Sequence, residues 1–260
     1  MDKRDTRNNK KPVQLSKRLQ ALADMVTPGN RVADVGCDHG FLSIYLVEQG
    51  ISPRVIAGDV RPGPLSAAKS HVAEHGLEAY IDTRLSDGLA KYGAGEADTL
   101  ICAGMGGPLM QRILTDHEEV TLSFGELILQ PQSELCEFRI FLRQKGFKIQ
   151  EENILCEDGK YYFMFRVTLD NQDTPAEQVK QEPELQKLYD KYGERLLQSR
   201  HPVLKAYLMR GLESALSVRE QILANRGEIG SNERLEQSLC ANELEIGDIQ
   251  KALAMFNEEV

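Results

Sequence analysis

Five short apolar runs punctuate the first half of the chain: RVADVG (31–36), RVIAGDV (54–60), AYIDTRLSD (79–87), DTLICAG (98–104) and ELILQPQ (126–132). Runs of this length bounded by turn residues suit buried strands. Helical segments alternate with most of them. The stretch from Val13 to Val26 carries Leu15, Leu19, Leu22 and Met25 at helical spacing and is broken by Thr27-Pro-Gly-Asn30. FLSIYLVEQG predicts a helix ending at Gly50, and Pro62 and Pro64 open another that runs to His75 before Gly76. A helix is expected over 108–116, and SELCEFRIFLRQKG predicts one with a Ser133 cap and a Gly146 stop. Strand–helix alternation of this kind demands a mostly parallel sheet with helices on both faces. FKIQEENILC and YYFMFRVTL then face each other across Glu157-Asp-Gly-Lys160, a β-hairpin expected to put one antiparallel strand at the sheet edge.

The chain changes character after Leu169. NQDTPAEQVKQEPE reads as a linker, so an α/β domain is expected over 12–170 and a linker with a helical domain over 171–260. In the latter, Leu204, Leu208, Gly211, Ala215, Val218 and Ile222 follow heptad spacing. So do Leu235, Leu239, Asn242, Ile246, Ile249, Leu253 and Phe256. Two such helices joined by RGEIGSN predict an antiparallel coiled coil, with Asn242 fixing its register; two amphipathic helices packed flat on the α/β domain are the alternative.

Charge and composition narrow the function. The net charge of −9 argues against a broad nucleic-acid surface, yet Lys3, Arg4, Arg7, Lys10, Lys11, Lys17 and Arg18 cluster at the start. No apolar run approaches the roughly 18 residues of a membrane span. The five cysteines are scattered without a C-x-x-C pair, which indicates neither a zinc site nor a disulfide framework and suits a reducing compartment. A cytoplasmic protein with no membrane association, no metal and no obligate protein partner is expected.

The chemistry-bearing residues fall at the C-terminal ends of the predicted strands, where open α/β sheets bind ligands. Asp34-Val-Gly36-Cys37-Asp38-His39-Gly40 follows strand one; its glycines allow a sharp turn and close ligand approach. It is neither a dinucleotide fingerprint nor a phosphate loop, and Asp34 and Asp38 put carboxylates where a pyrophosphate would sit. A cationic ligand such as S-adenosylmethionine suits those acids better than NAD. Asp59, followed by Val60, can accept both ribose hydroxyls of a nucleoside, a feature shared with NAD enzymes. Ser86-Asp87-Gly88 can offer an acid to an exocyclic adenine amine or be a plain turn. Ala103-Gly104-Met105-Gly106-Gly107 ends strand four, and its glycines imply close approach of another molecule to the backbone.

Taken in order, LSKRLQALADMV, VADVGCDHG, GDVRPGPL, SDGL, ICAGMGG and ILQPQ resemble the bacterial tRNA adenine-N1-methyltransferases that modify the adenosine at position 22 of tRNA. The resemblance covers roughly Leu15 to Leu169. It implies an α/β Rossmann-like class I methyltransferase fold, with a mostly parallel seven-stranded sheet closed by a C-terminal β-hairpin and followed by the helical coiled coil. It also implies S-adenosyl-L-methionine as cofactor and tRNA as partner. Cofactor-binding residues would be Arg18, Asp34, Gly36, Cys37, Asp38, Gly40, Asp59, Val60, Ser86, Asp87, Gly88, Ala103 and Gly104. Asp38, His39, Gly104, Met105 and Gly106 would position the reacting groups. Cys37 stands where the family pattern often has serine, a small-for-small change. A different methyl acceptor, or a non-catalytic RNA-binding role on the same fold, are the competing readings. The tail reads as an RNA-gripping arm bearing Lys205, Arg210 and Arg219, with dimerisation or a rigid lever as its rivals.

Overall fold

The computed structural model describes residues 13–169, 182–229 and 233–257. The basic stretch before Pro12 and most of the linker after Leu169 lie outside these. The chain forms two compact units. The first comprises residues up to Glu151 together with Tyr162–Asp173. The second comprises Glu152–Tyr161 and the chain from Thr174 onward.

In the first unit, α1 (Lys17–Asp24) is capped by Ser16, whose Oγ accepts the Leu19 N–H at 3.3 Å. Then follow β1 (Val32–Val35), α2 (Phe41–Glu48), β2 (Val55–Asp59), α3 (Pro62–His75), β3 (Ile81–Leu85) and β4 (Thr99–Met105). The order continues with α4 (Gly107–Asp116), α5 (Glu118–Leu122), β5 (Glu126–Pro131), α6 (Leu135–Gln144), β6 (Phe147–Glu157) and β7 (Lys160–Leu169). Proline in the first turn starts α3, and Gly76 at φ 69° stops it, as the sequence predicts.

The seven strands form one sheet in the order β3-β2-β1-β4-β5-β7-β6. The pairs β1–β2, β1–β4, β2–β3 and β4–β5 are parallel, and β5–β7 is antiparallel. β1, β2 and β5 are buried along their whole length, so apolar side chains cover both faces of the sheet there. The chain reverses direction along the sheet between β1 and β4, which opens a crevice at their C-terminal ends.

The hairpin departs from expectation in one respect. Its antiparallel strand β7 is inserted beside β5, and β6 takes the edge. Apolar Phe163, Phe165 and Val167 on β7 are buried, whereas β6 alternates exposed and covered residues and tolerates the edge. Asp158 and Gly159 make the turn at φ 49° and 74°, the left-handed pair that a two-residue hairpin needs.

Among the described residues, the second unit carries the hairpin end and four helices, α7 (Pro183–Tyr192), α8 (Glu194–Gln198), α9 (Pro202–Ile229) and α10 (Glu233–Ala254). The sequence reading did not separate α7 and α8. Asn242 Nδ2 donates to the Ala215 carbonyl at 3.1 Å, and Ile249 Cδ1 lies 3.6 Å from where a Cβ on Gly211 would stand. Later residues of α10 therefore meet earlier residues of α9, and the two helices run antiparallel. The expected seam is not continuous: Val218 is 42% exposed. Nor is α10 packed only on α9. Its buried Asp248 accepts hydrogen bonds from Lys187 and Lys191 of α7, at 3.0 and 2.8 Å. Asp248→Ala is expected to cost about 1–3 kcal/mol, since it strips a buried acceptor from two partly exposed lysines. Denaturant midpoints and hydrogen exchange in α7 would register that loss; unchanged exchange would contradict it.

Candidate active site

The turn after β1 is built by backbone requirement. Gly36 lies at φ 81°, and its N–H and that of Cys37 both donate to the Gly58 carbonyl, at 2.8 and 2.9 Å. Asp38 follows in the left-handed region at φ 50°, and Gly40 at φ 76° leads into α2 with Ala68 close by. This path brings the Asp38 N–H to Asp59 Oδ2 at 3.2 Å. The other oxygen of Asp59 accepts the Arg61 N–H at 2.8 Å. The Asp59 carboxylate is thus buried yet held by two backbone donors, with lone pairs to spare for a ligand. Asp38 differs: its side chain is 63% exposed, with Arg61 at 3.9 Å and His39 Nε2 at 3.8 Å.

Asp34 is buried at the end of β1 and accepts the Ser43 hydroxyl at 2.6 Å. Burial pushes its carboxyl up to about 6, against the lowering effect of Ser43 and with the Asp59 charge adding to the rise. The native state therefore holds this proton more tightly than the unfolded chain between pH 4 and 6. Stability falls as pH rises through that window and levels off above it. Asp34→Asn is expected to be more stable than wild type by about 2–3 kcal/mol at pH 7.5, with the gap shrinking toward pH 5. Urea midpoints at the two pH values test this; a gap independent of pH would overturn it.

The loop after β4 is anchored from beneath. The β4–β5 register shifts between Ala103 and Met105, where Gly104 turns at φ 78°. The Gly104 N–H donates to Oε1 of the fully buried Gln130 at 3.1 Å, and Arg18 Nη1 donates to the same oxygen at 3.1 Å. The Arg18 guanidinium also lies 5.6 Å from the Tyr162 ring centre. Met105 O accepts the Gln132 N–H at 2.8 Å, and Gly106 O accepts the Met110 N–H at 3.1 Å. Ser133 does not cap α6. Glu134 takes the cap position at φ 54°, and Ser133 Oγ instead accepts the Gly107 N–H at 3.3 Å, tying the loops after β4 and β5 together. After β3, the Ser86 hydroxyl donates to Gly88 O and accepts the Lys91 N–H, so it serves the turn. The Asp87 carboxylate is exposed and pairs with Arg112 at 3.2 Å.

These loops enclose a cavity of about 630 Å³, the size of a small-molecule site. Of the sequence-predicted residues, Arg18, Asp34, Gly36, Cys37, Asp38, His39, Asp59, Val60, Ser86, Asp87, Gly88, Ala103, Gly104 and Met105 line it. Gly40 and Gly106 are not among its walls; they start α2 and α4. Sequence reasoning missed Leu19, Val35, Phe41, Leu42, Arg61, Leu109, Arg112, Ile113 and Gln132. Arg61 and Gln132 carried a signal, lying in GDVRPGP and QPQ; the apolar residues carried none. The walls hold four carboxylates (Asp34, Asp38, Asp59, Asp87) against three guanidiniums (Arg18, Arg61, Arg112), and each guanidinium has a partner in the protein. That balance suits a ligand with net positive charge. Neither buried cysteine nearby is a nucleophile: burial pushes the Cys37 thiol up, and the Cys102 thiol up to about 12.

A glycine-hinged, acid-lined crevice at the reversal point of a seven-stranded sheet, with the strand beside β5 turned antiparallel, defines a site of the methyltransferase class. Residues 15–165 match the family model described as a methyltransferase domain, and the chain belongs to that family. A Bacillus subtilis tRNA (adenine(22)-N(1))-methyltransferase is 39% identical over 150 residues, 58% of this chain and 63% of the relative. The matched segment thus spans somewhat under two thirds of that relative's length. The solved structure of a B. subtilis m1A22 tRNA methyltransferase superposes with a TM-score of 0.77 at 29% identity, covering 93% of this chain and 99% of that one. A Streptococcus pneumoniae candidate tRNA (m1A22) methyltransferase in complex with S-adenosyl-L-methionine superposes with a TM-score of 0.76 at 30% identity, covering 92% and 100%.

Proposed function

We propose that the chain is an S-adenosylmethionine-dependent methyltransferase that modifies N1 of adenine 22 in tRNA, and that it works in the cytoplasm. The observation that carries this reading is the cavity itself: buried Asp59 beside the Gly36 turn, with the anchored Gly104–Gly107 loop opposite. The likeness to the B. subtilis and S. pneumoniae proteins along nearly their whole chains supports the choice of acceptor.

The residues fit the cofactor. Asp59 would accept the ribose hydroxyls and Asp87 the adenine amine, with Val60 exposed beside them as an apolar surface for the base. Asp34, Asp38, Gly36 and Gly104 would surround the amino-acid end, where Arg18 can meet its carboxylate. S-adenosylmethionine supplies an electrophilic methyl group on a sulfonium. Neutral adenine N1 offers a lone pair without a proton, so no side chain has to act as a base. The protein's task is alignment and exclusion of water, which the rigid loop after β4 serves. The base must leave its stack to present N1. His39 and Asp38, both exposed at the cavity, would meet the incoming nucleotide.

The helical unit belongs to this reading as an RNA-contacting element, although its charge is partly spent internally. Lys205 is exposed, but Arg210 donates to the Gly159 carbonyl and Arg219 lies 4.0 Å from Glu243.

Labelled methyl transfer to unmodified tRNA, followed by nucleoside analysis, tests the whole proposal. The expected product is 1-methyladenosine at position 22. Label on another atom or molecule would redirect the acceptor, and absence of cofactor binding by calorimetry would leave a non-catalytic protein.

A further inference from the structure

Gln132 lines the cavity at the end of β5. It ends the QPQ segment, whose first glutamine is buried and committed. Gln130 accepts from Arg18 and Gly104 through Oε1 and donates to the Pro131 carbonyl through Nε2. Gln132 is held only by its backbone, which donates to Met105 O at 2.8 Å. Its side chain is exposed, and no hydrogen bond to it is found among the described residues. Nε2 stands 3.8 Å from where a Cβ on Gly104 would be, so the carboxamide lies against the loop after β4.

An adenine that reacts at N1 must keep N1 bare. It can be identified only through groups that leave that lone pair free, and its N6 amine and N7 form such an edge: one donor beside one acceptor. Carboxylates such as Asp38 and Asp87 can accept from N6 but cannot donate to N7. Guanidiniums can donate to N7 but cannot accept from N6. In the loop after β4 the Gly104 N–H is taken by Gln130 and the Gly107 N–H by Ser133, and the Met105 and Gly106 carbonyls already accept from Gln132 and Met110. A carboxamide offers the required pair and is the side chain that reads adenine this way in nucleic-acid recognition.

We propose that Gln132 selects the acceptor base, its Oε1 accepting from the N6 amine and its Nε2 donating to N7. The inference rests on the adenine-N1 reading above and names the group that enforces it. Guanine presents O6 and N7, two acceptors, and cannot satisfy both halves of the amide.

The test compares single-turnover methyl transfer, at saturating cofactor, to tRNA carrying adenosine or 7-deazaadenosine at position 22. 7-Deazaadenosine keeps N1 and N6 and replaces the N7 acceptor with C–H. For the wild-type protein, kcat/KM is expected to fall about ten- to a hundredfold on the deaza substrate. Gln132→Ala should fall by a similar factor on adenosine and then be indifferent to deaza substitution, with cofactor affinity unchanged by calorimetry. Gln132→Glu keeps the acceptor and loses the donor, so it should likewise be insensitive to deaza substitution. A wild-type protein indifferent to the deaza substrate overturns the proposal, as does a Gln132→Ala variant that retains full activity or full deaza sensitivity. A wild-type protein that methylates no tRNA at N1 overturns the underlying reading as well, which separates the two failures.

Discussion

Asp59→Ala is expected to weaken S-adenosylmethionine binding by at least about a hundredfold. The carboxylate would lose two ribose hydroxyls, and hydrogen bonds to charged groups contribute about 1.5–3 kcal/mol each. Two of them correspond to roughly two to four decades in affinity. The loss is not confined to the ligand. Asp59 also accepts the backbone N–H groups of Asp38 and Arg61, so the variant slackens the turn that shapes the cavity floor. Asp59→Asn retains one acceptor oxygen and should fall between alanine and wild type. The slackened turn should also cost stability, offset in part because removing this charge relieves the buried Asp34 carboxyl beside it. Calorimetry with the cofactor reads the effect, and an alanine variant that binds within threefold of wild type would remove Asp59 from the nucleoside site.

A second large effect is expected at Gly36. A Cβ there would run into Met105 Cε, on a backbone at φ 81°. The left-handed conformation costs a non-glycine residue about 1–2 kcal/mol, and overpacking adds about 1–3 kcal/mol. Met105 Cε is the end of a flexible side chain and must swing aside, which changes the cavity wall beside the turn. Gly36→Ala should therefore lose about 2–4 kcal/mol of stability and at least tenfold in kcat, since the strained turn and the displaced Met105 side chain cost alignment. Adding Met105→Ala should return the steric part of the stability and leave the backbone part. Chemical denaturation of the single and double variants, with methyl transfer alongside, would expose a wrong attribution if the second substitution restored nothing.

The sheet was readable because each strand is a brief apolar run closed by a turn residue, and the observed strands fall within or close to the runs named in the sequence. Lateral order was harder. Nothing in YYFMFRVTL says that it will insert beside β5; that follows from which hairpin strand buries its aromatic residues. α5, at five residues, is too short to show a period, and α7 follows a linker-like stretch whose Pro183 marks a helix start. Ser133 looked like a cap because serine before a helix usually is one, and the competing claim of the Gly107 N–H is a tertiary matter. At the site, the hinge glycines and Asp59 were legible because their backbone or charge is demanded locally. Leu19, Arg61, Arg112 and Gln132 come from four separate segments, and only folding brings them to one cavity.

The hairpin carries a consequence for anyone who would shorten this protein. Its far half, Glu152–Tyr161, is satisfied by the helices: Glu152 accepts the Arg195 N–H at 3.1 Å, and Tyr161 meets Tyr207 edge-on at 5.1 Å. Ending the chain after Leu169 would take the Arg195 N–H from the Glu152 carboxylate and the Tyr207 ring from Tyr161. Catalysis lost on such trimming would report a damaged hairpin as readily as a missing RNA handle. Excising the α9–α10 pair beyond Gly211 and before Asn242, with the ends rejoined, keeps those anchors and isolates the arm.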